Sequence, residues 1–307
     1  MSLLVVTLLV ILWGAYVRVT GSGAGCADHW PLCNGELVPR APRTETLIEL
    51  THRVTSALCG LLSIVLLVQA FRVYDRGSLV RRAALWGFVL MVVEGAIGAL
   101  LVKKGLVAKD TSQARAFVVG LHLCNTFLLL GAQALTLRFA RDPSPLRLRA
   151  QPLRTLLLLV LCALFLILGA SGAITALGDT LFPAASLAEG IAQDLAPEAH
   201  FLVRLRVWHP VLAMVTGALV LYVAHELRAS TGHVQVARWA LRLSVLYVLQ
   251  ILAGFLNLFW LAPAPLQIVH LLLADLTWLA LIFLAAEALA HGEPSSAADA
   301  PVLSTVR

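Results

Sequence analysis

The sequence predicts an all-α integral membrane protein, with eight transmembrane helices forming two tandem four-helix bundles. The bundles are expected to be related by a pseudo-twofold axis along the membrane normal. Three observations carry that expectation. Hydrophobic residues make up 60% of the 307 and charged ones 13%, against roughly 45–50% and about 25% in soluble domains. Apolar runs long enough to cross a bilayer recur along the whole chain. Short segments of the first half return in the second at shifts of 148–157 residues, the mark of an internal repeat.

The spans are expected at 3–19, 51–71, 83–102, 116–137, 155–175, 201–224, 240–261 and 266–288. The first lacks the basic start and small-residue cleavage site of a signal peptide, and is read as a retained span. Arg72, Arg76, Arg81 and Arg82 follow the second span; Arg138, Arg141, Arg147, Arg149 and Arg154 lie around the fourth-to-fifth connection; Arg228, Arg238 and Arg242 join the sixth and seventh. Positive residues mark the cytoplasmic side, so both termini are expected there, although Lys103, Lys104 and Lys109 on the opposite side make the bias modest. The net charge of +6 sits in short loops, without a basic helix face or interleaved aromatics. The expected partner is membrane lipid and not nucleic acid.

The first external loop holds "GCADHWPLC", with Cys26 and Cys33. External placement favours a disulfide, worth roughly 2.5 kcal/mol in the chain-entropy model. A redox-active thiol pair and a metal site with His29 are the other readings, the latter disfavoured by the spacing and the missing fourth ligand. Cys59, Cys124 and Cys162 fall within spans, where a buried thiol is ordinary.

The repeat pairs "GAYVRVTGSG" from Gly14 with "GASGAITALG" from Gly169, and "VLMVVEGAIGAL" from Val89 with "VLYVLQILAGFL" from Val245. "THRVTSAL" answers "WHPVLAMV" through His52 and His209, and "GLHLCNTFLLL" answers "IVHLLLADLTW" through His122 and His270. The halves meet near 141–153, giving an N-terminal half of 1–143 and a C-terminal half of 144–307 that ends in a short polar tail. An even number of spans per half gives both the same orientation. The four repeat-matched histidines then lie at comparable depth, toward the external boundary. Each half offers two imidazoles on different helices, a suitable clamp for a heme in an apolar slot. Structural or proton-relay histidines and another metal are the competing readings. His225 has no repeat partner and is expected to be structural.

Arginines recur near these histidines: Arg53, Arg115 and Arg206. Each either snorkels to the interface or binds an anion such as a heme propionate, and Arg206 is the favoured propionate contact. Glu49 lies three residues before His52, on its face if the helix has begun by then, and its repeat equivalent is Arg206. It reads as either a first-turn acid complementing the helix dipole or a chemical group, and its place beside His52 favours the second. Glu94 and Asp275 lie deeper within spans and are functional candidates by their cost alone, with no catalytic role assigned.

"GAYVRVTGSGAGCADHWPLCNG" (14–35), the Glu-x-x-His-Arg of 49–53, "GLHL" around His122, "WHP" around His209 and "IVHLLLA" around His270 resemble the heme A synthase family over nearly the whole chain. The resemblance implies an eight-helix oxidoreductase of the cell (inner) membrane, with heme sites toward the external face. It would convert heme O to heme A for cytochrome oxidase, by two successive hydroxylations of a ring methyl to a formyl group. It implies His52 and His122 as ligands of the substrate heme, Glu49 as the catalytic acidic residue, and His209 and His270 as ligands of a heme b. Cys26 and Cys33 match the family's cysteine pair, and partners would include heme O synthase and the oxidase assembly machinery. Some members carry a second external cysteine pair, which 179–200 lacks, and Glu94 stands where an amide is usual. The rival readings are a bis-heme b-type membrane electron-transfer cytochrome without a substrate heme, and a transporter with parallel repeats.

Overall fold

The structure, a computed structural model, describes residues 2–291; the polar C-terminal tail expected from the sequence lies outside them. Ten α-helices follow one another: α1 (Ser2–Val19), α2 (Thr44–Val73), α3 (Leu79–Lys103), α4 (Gln113–Arg141), α5 (Pro152–Leu181), α6 (Leu187–Leu195), α7 (Phe201–Leu205), α8 (Trp208–Thr231), α9 (Val234–Phe259) and α10 (Ala264–His291). Eight stretches are long and apolar enough to cross a membrane, α7 and α8 counting as one span, Phe201–Thr231. The expected spans are all present.

Most helices overrun their apolar runs, because polar residues at the boundary carry the hydrogen-bond ladder outward. Ser78 and Ser112 accept the backbone N–H of Arg81 and Arg115 and so begin α3 and α4, and Pro152 sits in the first turn of α5, where its missing N–H costs nothing. α2 begins at Thr44, which places Glu49 inside the helix and on the face of His52. The break between α7 and α8 has a local cause. Pro210 has no N–H to give the Arg206 carbonyl, which instead accepts from His209 at 3.3 Å.

Within each half, neighbours in sequence pack side by side, α1–α2–α3–α4 and α5–α8–α9–α10. The halves join through α4 and α10, which lie against each other, with α5 against α4 and α1 against α10. In lipid, close packing and polar contacts hold helices together. Here the Phe127 and Trp278 rings stack at 5.3 Å, and the Trp278 indole donates to the Phe127 carbonyl at 2.5 Å. Leu130, Leu161, Leu243, Leu281 and Leu284 are fully buried around them.

A second tie crosses the same seam at the opposite end from the four histidines. Arg138, 3% exposed, pairs with Asp142 at 3.1 Å and Glu287 at 3.4 Å, and also donates to the Asp142 and Ser144 carbonyls. Hydrogen bonds from Ser144 hold the Asp142 carboxyl well below the usual carboxylate range, with help from His291 and Arg138. That depressed value contributes stability in full above about pH 4 and loses it only on further acidification. Removing the cation leaves two acids facing each other. Arg138→Met is expected to cost roughly 3 kcal/mol, read as a lower unfolding temperature in detergent, with a smaller loss in Arg138→Lys.

A histidine-lined cavity as the candidate functional site

His52, His122, His209 and His270 all line one cavity of about 1760 Å³ that runs through both halves. Each ring is half-buried; His52 and His122 lie roughly two turns inside α2 and α4, His270 lies in the second turn of α10, and His209 opens α8, two turns inside the Phe201–Thr231 span. Two of them are seated on glycines. A Cβ on Gly14 would lie 2.9 Å from the His52 ring, and a Cβ on Gly172 would lie 2.9 Å from the His209 ring. No other residue lets α1 and α5 approach an imidazole so closely. The true partner of Gly14 is therefore Gly172, not Gly169 as the sequence alignment had it. Gly169 instead accommodates the Phe127 ring.

The ring nitrogens are largely unused. Nδ1 of His52 and His270 is buried without a hydrogen-bond partner among the described residues. His209 meets the Ser171 hydroxyl through Nδ1 at 2.9 Å, which leaves Nε2 free. His270 Nε2 lies 3.2 Å from the Gln250 amide nitrogen. The His209 and His270 rings stand 6.4 Å apart, centroid to centroid, at 87°. A metal between two imidazoles, with metal–nitrogen bonds of about 2 Å, separates the ring centroids by about 6 Å. The spacing of the second pair therefore matches that of two imidazoles sharing one metal.

The two halves differ at the third position. Glu94 on α3 comes within 3.1 Å of His122 Nδ1, and accepts from Asn125 and Thr126 at 2.5 Å each. A carboxylate held behind an imidazole orients that ring and raises its basicity as a ligand. Gln250 occupies the matching place beside His270. Sequence reasoning marked Glu94 as costly without finding its task; the signal was its alignment with Gln250. Asp275 is fully buried, and neither carboxyl oxygen has a partner among the described residues.

Glu49 reaches the cavity wall while only 3% exposed. Its Oε2 accepts the Cys26 backbone N–H at 2.8 Å, and its Oε1 accepts from Arg53 at 2.5 and 3.1 Å. Arg53 also donates to the His29 and Leu32 carbonyls at 2.6 Å. The α1–α2 loop is thus tied to the site through its backbone. Cys26 and Cys33 form a disulfide within it, and the Thr46 hydroxyl holds the Gly25 carbonyl at 2.8 Å.

The arginines are less available than the sequence implied. Arg206 lines the cavity, but it pairs with Asp194 at 2.9 Å and Asp179 at 3.0 Å and also reaches Gln193 and the Phe182 carbonyl. Burial raises the Asp194 carboxyl above the usual range, against the pull of Arg206. Arg115 spends Nη1 on the Ala108 and Asp110 carbonyls, while its Nε is buried without a partner. Arg18, which the sequence did not single out, crosses the seam to the Ala176 carbonyl, Thr180 and Gln267. His225 is exposed and away from the cavity.

Fold and site define a multi-pass membrane protein whose apolar interior presents imidazole pairs to a large cavity. Residues 1–282 match the family model COX15-CtaA, described as cytochrome oxidase assembly protein, and the chain belongs to that family. Proteins named protoheme IX farnesyltransferase from two strains of Thermus thermophilus are 47% identical over 284 residues, covering 92% of this chain and 47% of their own length. A protein named heme A synthase from Bacillus cereus is 43% identical over 98 residues, 32% of each chain. The chain spans about half the length of the Thermus relatives it matches.

Arg53→Ala removes two charged hydrogen bonds to the loop, each worth about 1.5–3 kcal/mol. Amide hydrogen exchange across residues 26–36 is expected to accelerate about tenfold or more, at 1.4 kcal/mol per tenfold, while exchange in α4 is unchanged.

Proposed function

We propose that this chain is a heme A synthase, oxidising a methyl group of heme O to a formyl group by successive hydroxylations. The observation that carries the reading is the set of four repeat-related imidazoles facing one apolar cavity, on a chain of this family. The relatives named heme A synthase and protoheme IX farnesyltransferase support it, the latter because a farnesylated heme is the substrate this reading requires. A protoheme IX farnesyltransferase is accordingly the expected supplier, and cytochrome oxidase assembly the expected consumer.

In this reading the chain divides into a substrate half (1–143) and a cofactor half (144–307), related by a pseudo-twofold axis along the membrane normal. The membrane is the cell membrane, the termini are cytoplasmic, and the histidines lie toward the external face. His52 and His122 hold the substrate heme, with Glu94 orienting His122. His209 and His270 hold a heme b, which supplies electron relay when bound. Arg115 keeps its Nε without a partner among the described residues, a donor for a propionate, whereas Arg206 has little guanidinium left to give.

Glu49 lies one turn outward of His52 on the same face of α2. Its position is fixed by the Cys26 N–H and by Arg53, so its charge is oriented before the substrate arrives. From there it stabilises positive charge developing at the oxidised methyl carbon or accepts a proton from attacking water. Burial keeps bulk water from screening that charge.

The test is production of the protein together with a protoheme IX farnesyltransferase, followed by extraction and mass analysis of the hemes. Heme A is expected. Heme b alone, with no farnesylated or oxidised heme, would instead identify a bis-heme electron carrier. Glu49→Gln is expected to lower heme A by about 10²-fold or more while the heme b absorbance is retained. His209→Ala is expected to lose that absorbance.

A further inference from the structure

On the inner side of the histidines the lining runs equally far along α4 and α10, to Leu129 and Thr277, and the two pockets differ along the other helices. On the His52 face of α2 the cavity wall continues past Gly60 and Ser63 to Ile64, about 18 Å along the helix from His52 at about 1.5 Å per residue. On α8 the wall ends at Met214, about 7.5 Å past His209 by the same rise. The wall reaches Phe88 on α3 but ends at Tyr247 on α9.

Two aromatic rings close the second half. Tyr247, 3% exposed, lies 2.7 Å from where a Cβ on Gly217 would sit. Its hydroxyl donates to the Ala213 carbonyl at 2.7 Å, and its ring meets Phe165 edge-on at 5.9 Å. The Gly14–Gly172 register makes Thr7 the counterpart of Phe165, and the Glu94–Gln250 register makes Met91 the counterpart of Tyr247. Gly60, the counterpart of Gly217, has nothing within 4 Å of its would-be Cβ among the described residues.

We propose that this inward extension is a tail channel. It holds the isoprenoid tail of a farnesylated heme whose ring sits between His52 and His122, and Phe165 with Tyr247 excludes such a tail from the second pocket. The inference rests on the heme A synthase reading and deepens it, by naming the residues that tell substrate from cofactor. The channel is continuous with the ring site and long in one direction, as a single chain attached to that ring requires. Its hydroxyls are turned inward: Thr7 donates to the Leu3 carbonyl and Ser63 to the Gly60 carbonyl. What is left is an apolar wall, and within the membrane it is close packing against that wall that favours the tail. A phospholipid acyl chain has the same chemistry, so the test separates the two.

Thr7→Phe/Met91→Tyr transfers the closing pair to the first half. In protein whose second pocket already holds heme b, farnesylated heme should bind this variant at least tenfold more weakly than it binds the parent. Tail-less heme should bind the two within about twofold. The reciprocal Phe165→Thr/Tyr247→Met should take up farnesylated heme in its second pocket. Equal weakening of both hemes overturns the proposal, as does unchanged binding of farnesylated heme. Unchanged binding together with loss of copurifying phospholipid would assign the channel to lipid and overturns it too. If the first variant does not fold, the reciprocal one decides, since absence of farnesylated heme from its second pocket is contrary to the proposal. Failure of the underlying reading looks different: the parent then makes no heme A and binds farnesylated heme no better than tail-less heme.

Discussion

An imidazole held inside a membrane protein with its nitrogens unmatched is the constraint on which the rest of this structure depends. An unsatisfied polar group in a low-dielectric interior is costly, and this chain bears that cost at Nδ1 of His52 and of His270, while His122 and His209 are each held at one nitrogen, by Glu94 and Ser171. The surrounding architecture holds the rings at the cavity wall and leaves ring nitrogens over for a ligand. Gly14 and Gly172 strip a side chain from the facing helix so that α1 and α5 come down onto His52 and His209. The cavity they line is shared by both halves. Such an arrangement is a poor way to stabilise a fold and a good way to wait for a metal.

The two halves use one scaffold for different surroundings. In the first, carboxylates stand near both histidines, Glu49 on the helix of His52 and Glu94 across from His122. In the second, Arg206 and Gln250 take those places. Arg206 is drawn into pairs with Asp179 and Asp194, which fastens α6 and the start of the α7–α8 span to α5. Glu49 is drawn into the α1–α2 loop by the Cys26 N–H. The disulfide-bearing loop and the catalytic candidate are therefore one mechanical unit, and a disturbance of the loop reaches the cavity wall directly.

Much of this was legible in the sequence. The eight spans follow from apolar runs alone, and the histidine set follows from the repeat. Glu49 emerged because its repeat equivalent is an arginine. What escaped depends on contacts across helices that carry no periodic signal. The Gly14–Gly172 equivalence differs from the sequence alignment by almost one helical turn, because sparse identities in an apolar run do not fix register. The engagement of Arg53, Arg115 and Arg206 by backbone and carboxylates also escaped, since any arginine at a span boundary looks equally free. Phe165 and Tyr247 read as ordinary core aromatics until their first-half counterparts, Thr7 and Met91, are seen to leave the corresponding space open.

The central claim is that each imidazole pair clamps its own macrocycle. Electron cryo-microscopy of protein purified from cells making farnesylated heme tests it directly. The account predicts two hemes, a tail-bearing ring between His52 and His122 and a tail-less ring between His209 and His270. Either pair without a ring, or a ring held by other residues, would contradict it.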